Sequence, residues 1–251
     1  MTLCGNYLNR GLLILIVYFI PVAYAAAFYA EDIFIFIGQN PEVSHLASIQ
    51  VLYSLPSVLA YGLFDVYRRW LAAMKVTFVP GILLLFAAFG HVFLCILFMS
   101  PEWAMDIKGL AAAASARDCV LLFCIAVYAR RSRKEVRLSV FLPNMEAFSG
   151  WGHYTKIALP STAMLLAELY AYEIVTLIAG TMSVNDQAAQ VIVQSFIYLL
   201  FVPPLGISEA SSLILKRCIN ENNLSLAKRY FGMTAVINCV SVIVLCIVAF
   251  T

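Results

Sequence analysis

The chain has 251 residues, of which 63% are hydrophobic and 12% are charged, and its formal net charge is +2. Soluble domains are roughly half apolar and a quarter charged, so this composition excludes an ordinary soluble protein and indicates a polytopic membrane protein. No basic stretch interleaved with aromatic residues suggests nucleic-acid binding, and the seven cysteines form no CxxC pair typical of a redox or metal site.

Seven apolar runs are long enough to cross a bilayer, since a spanning helix needs about 20 mostly apolar residues. Helix is expected in each run because every backbone polar group must be satisfied within the segment, and the period-two alternation of a membrane barrel is absent. In chain order the runs are Gly11–Ile37, Leu46–Tyr67, Val79–Met99, Leu110–Tyr128, Ile157–Gly180, Ala188–Leu215 and Phe231–Phe250. The predicted fold is therefore all-α and polytopic, with about seven transmembrane helices.

The first run also has features of a secretory signal. Arg10 precedes a long apolar stretch that contains the small residues AYAAA, Ala23–Ala27. However, the run is longer than a usual signal core, and Pro21 is followed by more apolar sequence. A spanning helix is the favoured interpretation.

The basic residues lie at alternate ends of the seven runs, and the opposite ends carry acids, with Lys108 as the one basic residue there. By the positive-inside rule, this pattern places the amino terminus in the cytoplasm. The basic residues are Arg10, Arg68, Arg69, Lys75, Arg130, Arg131, Arg133, Lys134, Arg137, Lys156, Lys216, Arg217, Lys228 and Arg229, and the acids are Glu31, Asp32, Glu42, Glu102, Asp106 and Asp186. The longest polar connection, 129–154, is then a cytoplasmic loop between a four-helix part, 1–128, and a three-helix part, 155–251.

Two carboxylates interrupt the fifth run. Glu173 lies about 7.5 Å beyond Glu168 along the helix and about 140° around it, so the two acids do not share one face. A charged side chain at the centre of a span costs roughly 2.5–3.5 kcal/mol on insertion scales, and such residues usually face a cavity with a function. Burial favours the neutral carboxyl group, so an acid there can alternate between binding a proton and binding a cation. A static structural role, with hydroxyl or basic partners, is the alternative.

Arg117 and Asp118 form a second charged pair, inside the fourth run. Adjacent residues point about 100° apart on a helix, so we predict no direct ion pair between them and expect partners on other helices, in a structural or a transport role.

No metal-ligand spacing joins the three histidines, and no nucleophile motif or phosphate-binding glycine loop is present. We therefore predict no enzymatic activity, no metal and no cofactor.

Several stretches together resemble the multidrug and toxic compound extrusion (MATE) transporters. IGQNPEVSHLA (Ile37–Ala47) and the sequence Leu55–Pro80 are similar to the third-to-fifth helix region of that family. KIALPSTAMLLAELYAYEIVTLIAG (Lys156–Gly180) resembles its seventh helix, which in the eukaryotic branch has a proline–serine start and two glutamates five residues apart. VPPLGISEASS (Val202–Ser212) followed by AKRYF (Ala227–Phe231) resembles the eighth helix and the start of the ninth.

The resemblance implies an antiporter that exports organic cations or xenobiotics in exchange for protons, with sodium as the less favoured coupling ion. Family members have twelve helices in two lobes around a cavity, and this chain corresponds to helices three to nine, as a partial N-lobe and a partial C-lobe. Glu168 and Glu173 occupy the positions that bind protons and cations, and Met164, Tyr170 and Tyr172 would contact an organic cation. A multi-pass location in the plasma membrane or a vacuolar or other endomembrane follows.

Two further hypotheses remain. Because helices one, two and ten to twelve have no counterpart here, the chain is alternatively a transport-incompetent fragment. The count of seven spans and the stretch DVYRR (Asp65–Arg69) suggest a seven-helix receptor. Such receptors place the amino terminus outside, against the charge distribution, and no NPxxY-like element closes the last run.

Overall fold

The computed structural model describes residues 2–100, 105–132, 134–141 and 148–250, so that Glu102, Arg133 and loop residues 142–147 of the predicted pattern lie outside the described residues. No β-strand is assigned within these ranges, and apart from a 3₁₀ residue at Phe148 the regular elements are α-helices. The helices are α1 (Thr2–Phe36), α2 (Pro41–Ala73), α3 (Phe78–Phe98), α4 (Asp106–Arg131), α5 (Lys134–Leu138), α6 (Trp151–Met182), α7 (Val184–Asn220) and α8 (Leu224–Phe250).

Seven of the described helices are long and apolar enough to span a membrane, which confirms the predicted all-α class and helix count. Most of them extend beyond the predicted runs: α2 is Pro41–Ala73, whereas its apolar run is Leu46–Tyr67. Hydropathy marks only the part of a helix that matches the hydrocarbon core, and the backbone ladder continues past it into the polar interface. The additional helix, α5, is a short segment inside the predicted loop 129–154.

Local sequence signals determine where α2 and α7 begin. Gly38 has a φ of +90°, a conformation that glycine adopts without the steric cost of a side chain, and it turns the chain between α1 and α2. The Asn40 side chain accepts a hydrogen bond from the Glu42 backbone N–H at 2.9 Å, and Pro41 follows this cap. The Ser183 hydroxyl caps α7 in the same way at the Asp186 backbone N–H, at 3.0 Å.

The chain forms two compact units, Met1–Glu168 and Leu169–Thr251. In the first unit α2 packs against both α1 and α4, and α3 packs against α4. Its core contains Leu8, Phe64, Trp70, Leu71, Leu121, Ile125, Ala129 and Val136. In the second unit α7 packs against α8, where the hydroxyls of Ser211 and Thr234 are 2.8 Å apart. The predicted division into lobes at residues 129–154 stays a prediction.

Large apolar side chains are exposed along the long helices of both units. Phe86 and Phe89 on α3 are each 71% exposed, and Phe196 and Leu199 on α7 are 64% and 67% exposed. Soluble monomers rarely expose contiguous apolar surface on this scale. Together with the length of the helices, this surface places the chain in a bilayer as a multi-pass membrane protein.

Candidate functional site

Five side chains form a polar cluster between α6 and α7 in the second unit: Tyr172, Glu173 and Thr176 on α6, and Gln194 and Tyr198 on α7. We refer to them as the α6–α7 cluster. Both helices are candidate membrane spans. Polar groups inside a membrane span need hydrogen-bond partners within the protein, because the lipid hydrocarbon offers none.

Gln194 lies at the centre of the α6–α7 cluster, and the residue is only 7% exposed. Its amide nitrogen donates to the Tyr198 hydroxyl at 3.3 Å and to Oε1 of Glu173 at 3.4 Å. Its amide oxygen accepts a hydrogen bond from the Thr176 hydroxyl at 2.7 Å. Both ends of the buried amide are therefore satisfied, which is what its burial requires.

Helical spacing brings these groups together. Glu173 and Thr176 are three residues apart on α6, and Gln194 and Tyr198 are four apart on α7, so each pair lies on one helix face. The rings of Tyr172 and Tyr198 pack across the two helices with centroids 6.1 Å apart and planes inclined by 53°. The result is two short polar stripes that face each other between otherwise apolar helices.

The chemistry of the cluster suits a cation. The Glu173 side chain is exposed, and its contact with Gln194 is at the long end of hydrogen-bond distances, so the carboxylate remains open to a proton or another cation. Tyr172 and Tyr198 add aromatic faces, which attract organic cations through the ring quadrupole. In the described part of the chain, no group of three or more His, Cys, Asp or Glu side chains has a geometry that holds a metal.

The structure brings together some of the residues that the sequence predicted for the site. Glu173 and Tyr172 belong to the α6–α7 cluster, whereas Met164 and Tyr170 lie outside it, 76% and 55% exposed on α6. Glu168 lies in α6, but its side chain is outside the described residues, so its predicted role in binding protons and cations stays a prediction.

Sequence reasoning missed the three other members, Thr176, Gln194 and Tyr198. A signal was present in α7, because Gln194 and Tyr198 are polar residues spaced four apart within the apolar run VIVQSFIYLL. That signal does not identify which helix the pair faces, and only the packed structure adds Thr176 and Glu173.

A second polar site lies in the first unit, and it corrects the prediction made for Arg117 and Asp118. The two neighbours form a direct ion pair, with Arg117 Nε 2.7 Å from Asp118 Oδ1 and Arg117 Nη2 2.8 Å from Asp118 Oδ2. The hydroxyl of Ser57 on α2 also donates to Oδ2. The prediction was wrong because the arginine side chain is long enough to fold back over 100° of the helix surface toward a carboxylate that is only 1% exposed.

Comparison with known proteins finds a family match that includes residues of both units. The MatE family model matches residues 2–97 and 160–251, which is well over half of the chain. The chain belongs to the MatE family. This confirms the resemblance found in the sequence, and the matched part of the MatE chain includes all five residues of the α6–α7 cluster.

Named relatives of this MatE chain come from animals and plants. It is 29% identical over 238 residues to Multidrug and toxin extrusion protein 1 of Xenopus tropicalis. The aligned region covers 91% of this chain and 39% of that protein. It is 26% identical over 233 residues to Protein DETOXIFICATION 16 of Arabidopsis thaliana, covering 89% and 46% of the two chains. This MatE chain therefore spans less than half the length of these relatives.

The fold is also that of a solved member of the family. The crystal structure of the eukaryotic MATE transporter AtDTX14 matches with a TM-score of 0.80 over 94% of this chain and 52% of that chain. The identity is 20%, so this match shows the fold alone. It agrees with a partial MATE helical architecture for this MatE chain.

Proposed function

We propose that this chain carries the cation- and proton-binding part of a MATE-type antiporter that exports organic cations or xenobiotics in exchange for protons. The observation that supports this most directly is the α6–α7 cluster, which holds the open carboxylate of Glu173 between membrane-spanning helices of a MatE chain. The relatives named as multidrug and toxin extrusion proteins support the same class of substrate.

The mechanism follows from the chemistry of an acid in a bilayer. When ionised, the carboxylate of Glu173 attracts an organic cation, and the rings of Tyr172 and Tyr198 add cation–π contacts. When a proton neutralises the carboxylate, the cation loses its main electrostatic partner and is released. Glu168 takes part as a second exchangeable site about one and a half turns earlier on α6.

Met164 and Tyr170 have a secondary place in this proposal. Both side chains are exposed on α6, the helix whose sequence contains the two acids, and a thioether and a phenol ring are soft, adaptable contacts for bulky cations. The proposed orientation has the amino terminus in the cytoplasm, because basic residues accumulate at the ends of α2, α4 and α7. The proposed location is the plasma membrane or an endomembrane such as the vacuolar one.

We predict that Glu168→Gln abolishes proton-driven efflux and that Glu173→Gln reduces it strongly. An amide has nearly the shape of the carboxyl group but cannot alternate between charged and neutral forms. The measurement is export of a fluorescent organic cation from proteoliposomes under an imposed pH gradient. Glu221→Gln, at the carboxyl-terminal cap of α7, removes an acid outside the cluster and is expected to retain wild-type efflux.

The outcomes separate the hypotheses. Unchanged efflux in both variants would contradict the assignment of the exchange site to α6. Absence of efflux from the unmodified chain, with correct insertion, would instead support the transport-incompetent hypothesis. Export by the unmodified chain alone would rule that hypothesis out.

We predict a smaller effect for Gln194→Leu, about a three- to twentyfold fall in the efflux rate. Leucine removes the amide that holds Glu173 and Thr176, and interhelical hydrogen bonds in membranes contribute about 0.6–1.7 kcal/mol. Gln190→Leu is the matched control on the same helix, since Gln190 has no side-chain hydrogen bond among the described residues. Equal rates for the two variants would show that the amide does not position the site.

A further inference from the structure

A cleft of about 480 Å³ lies at the basic end of the first unit, where α1 begins and where α2 and α4 end. This volume is within the range of about 300–1,000 Å³ that is typical of small-molecule sites. Its polar lining residues are Asn9, Tyr67 and Arg130. Its apolar lining residues include Leu13, Ile16 and Phe141.

Specific contacts form the wall of this cleft. Asn9 on α1 is 5% exposed, and its Nδ2 donates to the backbone oxygen of Phe141 at 3.0 Å. Gly5, one turn earlier, allows the chain after α5 to approach α1, because a Cβ at this position would overlap the Ser139 carbonyl and the Phe141 ring. The segment 139–141 is thus held against α1, and its position closes one side of the cleft.

The positive charge that lines the cleft is carried by Arg130. Arg130 is exposed and has no carboxylate within ion-pair distance in the described part of the chain. The arginines at the same end of α2 differ, since Nε of Arg68 and Nε of Arg69 bond to the Asp65 carboxylate at 2.7 and 2.6 Å. A guanidinium that has no carboxylate partner among the described residues, and that shares its cleft with apolar side chains, is complementary to an amphiphile with an anionic head.

We propose that this cleft binds one anionic phospholipid, with the headgroup phosphate on Arg130 and an acyl chain along Leu13 and Ile16. Guanidinium binds phosphate through paired charge-assisted hydrogen bonds, with Asn9 and Tyr67 as neighbouring polar groups. Basic pockets between helices at the cytoplasmic face are where anionic lipids bind to membrane proteins. The choice of leaflet depends on the proposed orientation, but binding itself does not depend on transport.

The test is binding of fluorescently labelled phosphatidylglycerol to the purified full chain in detergent micelles. We expect Arg130→Ala to raise the Kd at least tenfold, because the variant loses the charge-assisted hydrogen bonds between the guanidinium and the phosphate. Arg131→Ala is the matched control. Arg131 is exposed next to Arg130 at the end of α4, but it is not among the residues that line the cleft, so we expect less than a twofold change in Kd. Leu13→Trp keeps every charge and adds volume at an apolar lining residue, so it should also weaken binding.

Three results would overturn the proposal. The first is equal affinity of the wild type for phosphatidylglycerol and for zwitterionic phosphatidylcholine. The second is an Arg130→Ala variant that is folded by circular dichroism and binds as the wild type does. The third is competition by glycerol 3-phosphate at concentrations as low as those of the lipid, which would make the cleft a site for soluble phosphates. Because no efflux is measured, failure here leaves the proposed function untouched.

Discussion

Replacing Asp118 with leucine is expected to lower the free energy of unfolding by about 3–5 kcal/mol, the cost of removing one partner of a buried ion pair. Asp118 is 1% exposed and accepts hydrogen bonds from Arg117 and from Ser57 of the neighbouring helix. Without it, the positive charge of Arg117 remains inside a membrane-spanning unit with no counter-charge among the contacts described for it.

The measurement for Asp118→Leu is unfolding in mixed micelles with increasing SDS, followed by circular dichroism. A double variant, Arg117→Met with Asp118→Leu, provides the control. Replacing both charges by apolar groups of similar volume is often neutral, so the double variant should regain most of the lost stability. Equal losses in the single and double variants would show that packing, and not the uncompensated charge, determines the effect.

Replacing Phe64 with alanine is expected to cost about 3 kcal/mol, the lower end of the range for Phe→Ala in packed cores. Phe64 is fully buried at the centre of the first unit, in a cluster with Leu71, Leu121 and Ile125. Lipid is as apolar as leucine, so the transfer part of the cost seen in soluble proteins is largely absent. The lost van der Waals contacts and the cavity remain.

The same SDS titration tests the Phe64→Ala prediction. Phe89→Ala is the matched control, because Phe89 has the same chemistry but is 71% exposed on α3. We expect a change below about 0.5 kcal/mol for this exposed position. If both variants lost the same stability, the cluster around Phe64 would not be the core of the unit.

The main features of the fold were predictable because they depend on local sequence. The length of an apolar run is set by the thickness of the bilayer, and within the hydrocarbon only a helix satisfies its own backbone. The seven spans therefore followed from hydropathy alone. The helix ends did not, since α2 and α7 continue through polar residues beyond their apolar runs, where capping by Asn40 and Ser183 decides the start.

The candidate site was predictable only in part. The sequence identified Glu173 because an acid in an apolar run is costly and therefore conspicuous, and Tyr172 because it lies near the acids. It did not identify Gln194 or Thr176 as partners, since an uncharged polar residue in a span is common and its partner is on another helix. The rotation of α7 relative to α6 determines that these groups meet, and this rotation is a property of packing.

By itself, then, the sequence determined the membrane class, the number of spans, the family and the acids of α6. Only the tertiary structure decided how the polar groups are placed: the ion pair of Arg117 with Asp118, the satisfied amide of Gln194, and the position of Arg130 in the lining of its cleft. The physical reason is the distance along the chain over which each property is determined. Hydropathy and helix formation depend on residues within a few turns of one segment. A hydrogen bond between helices depends instead on ångström-scale distances between side chains that are far apart in the sequence.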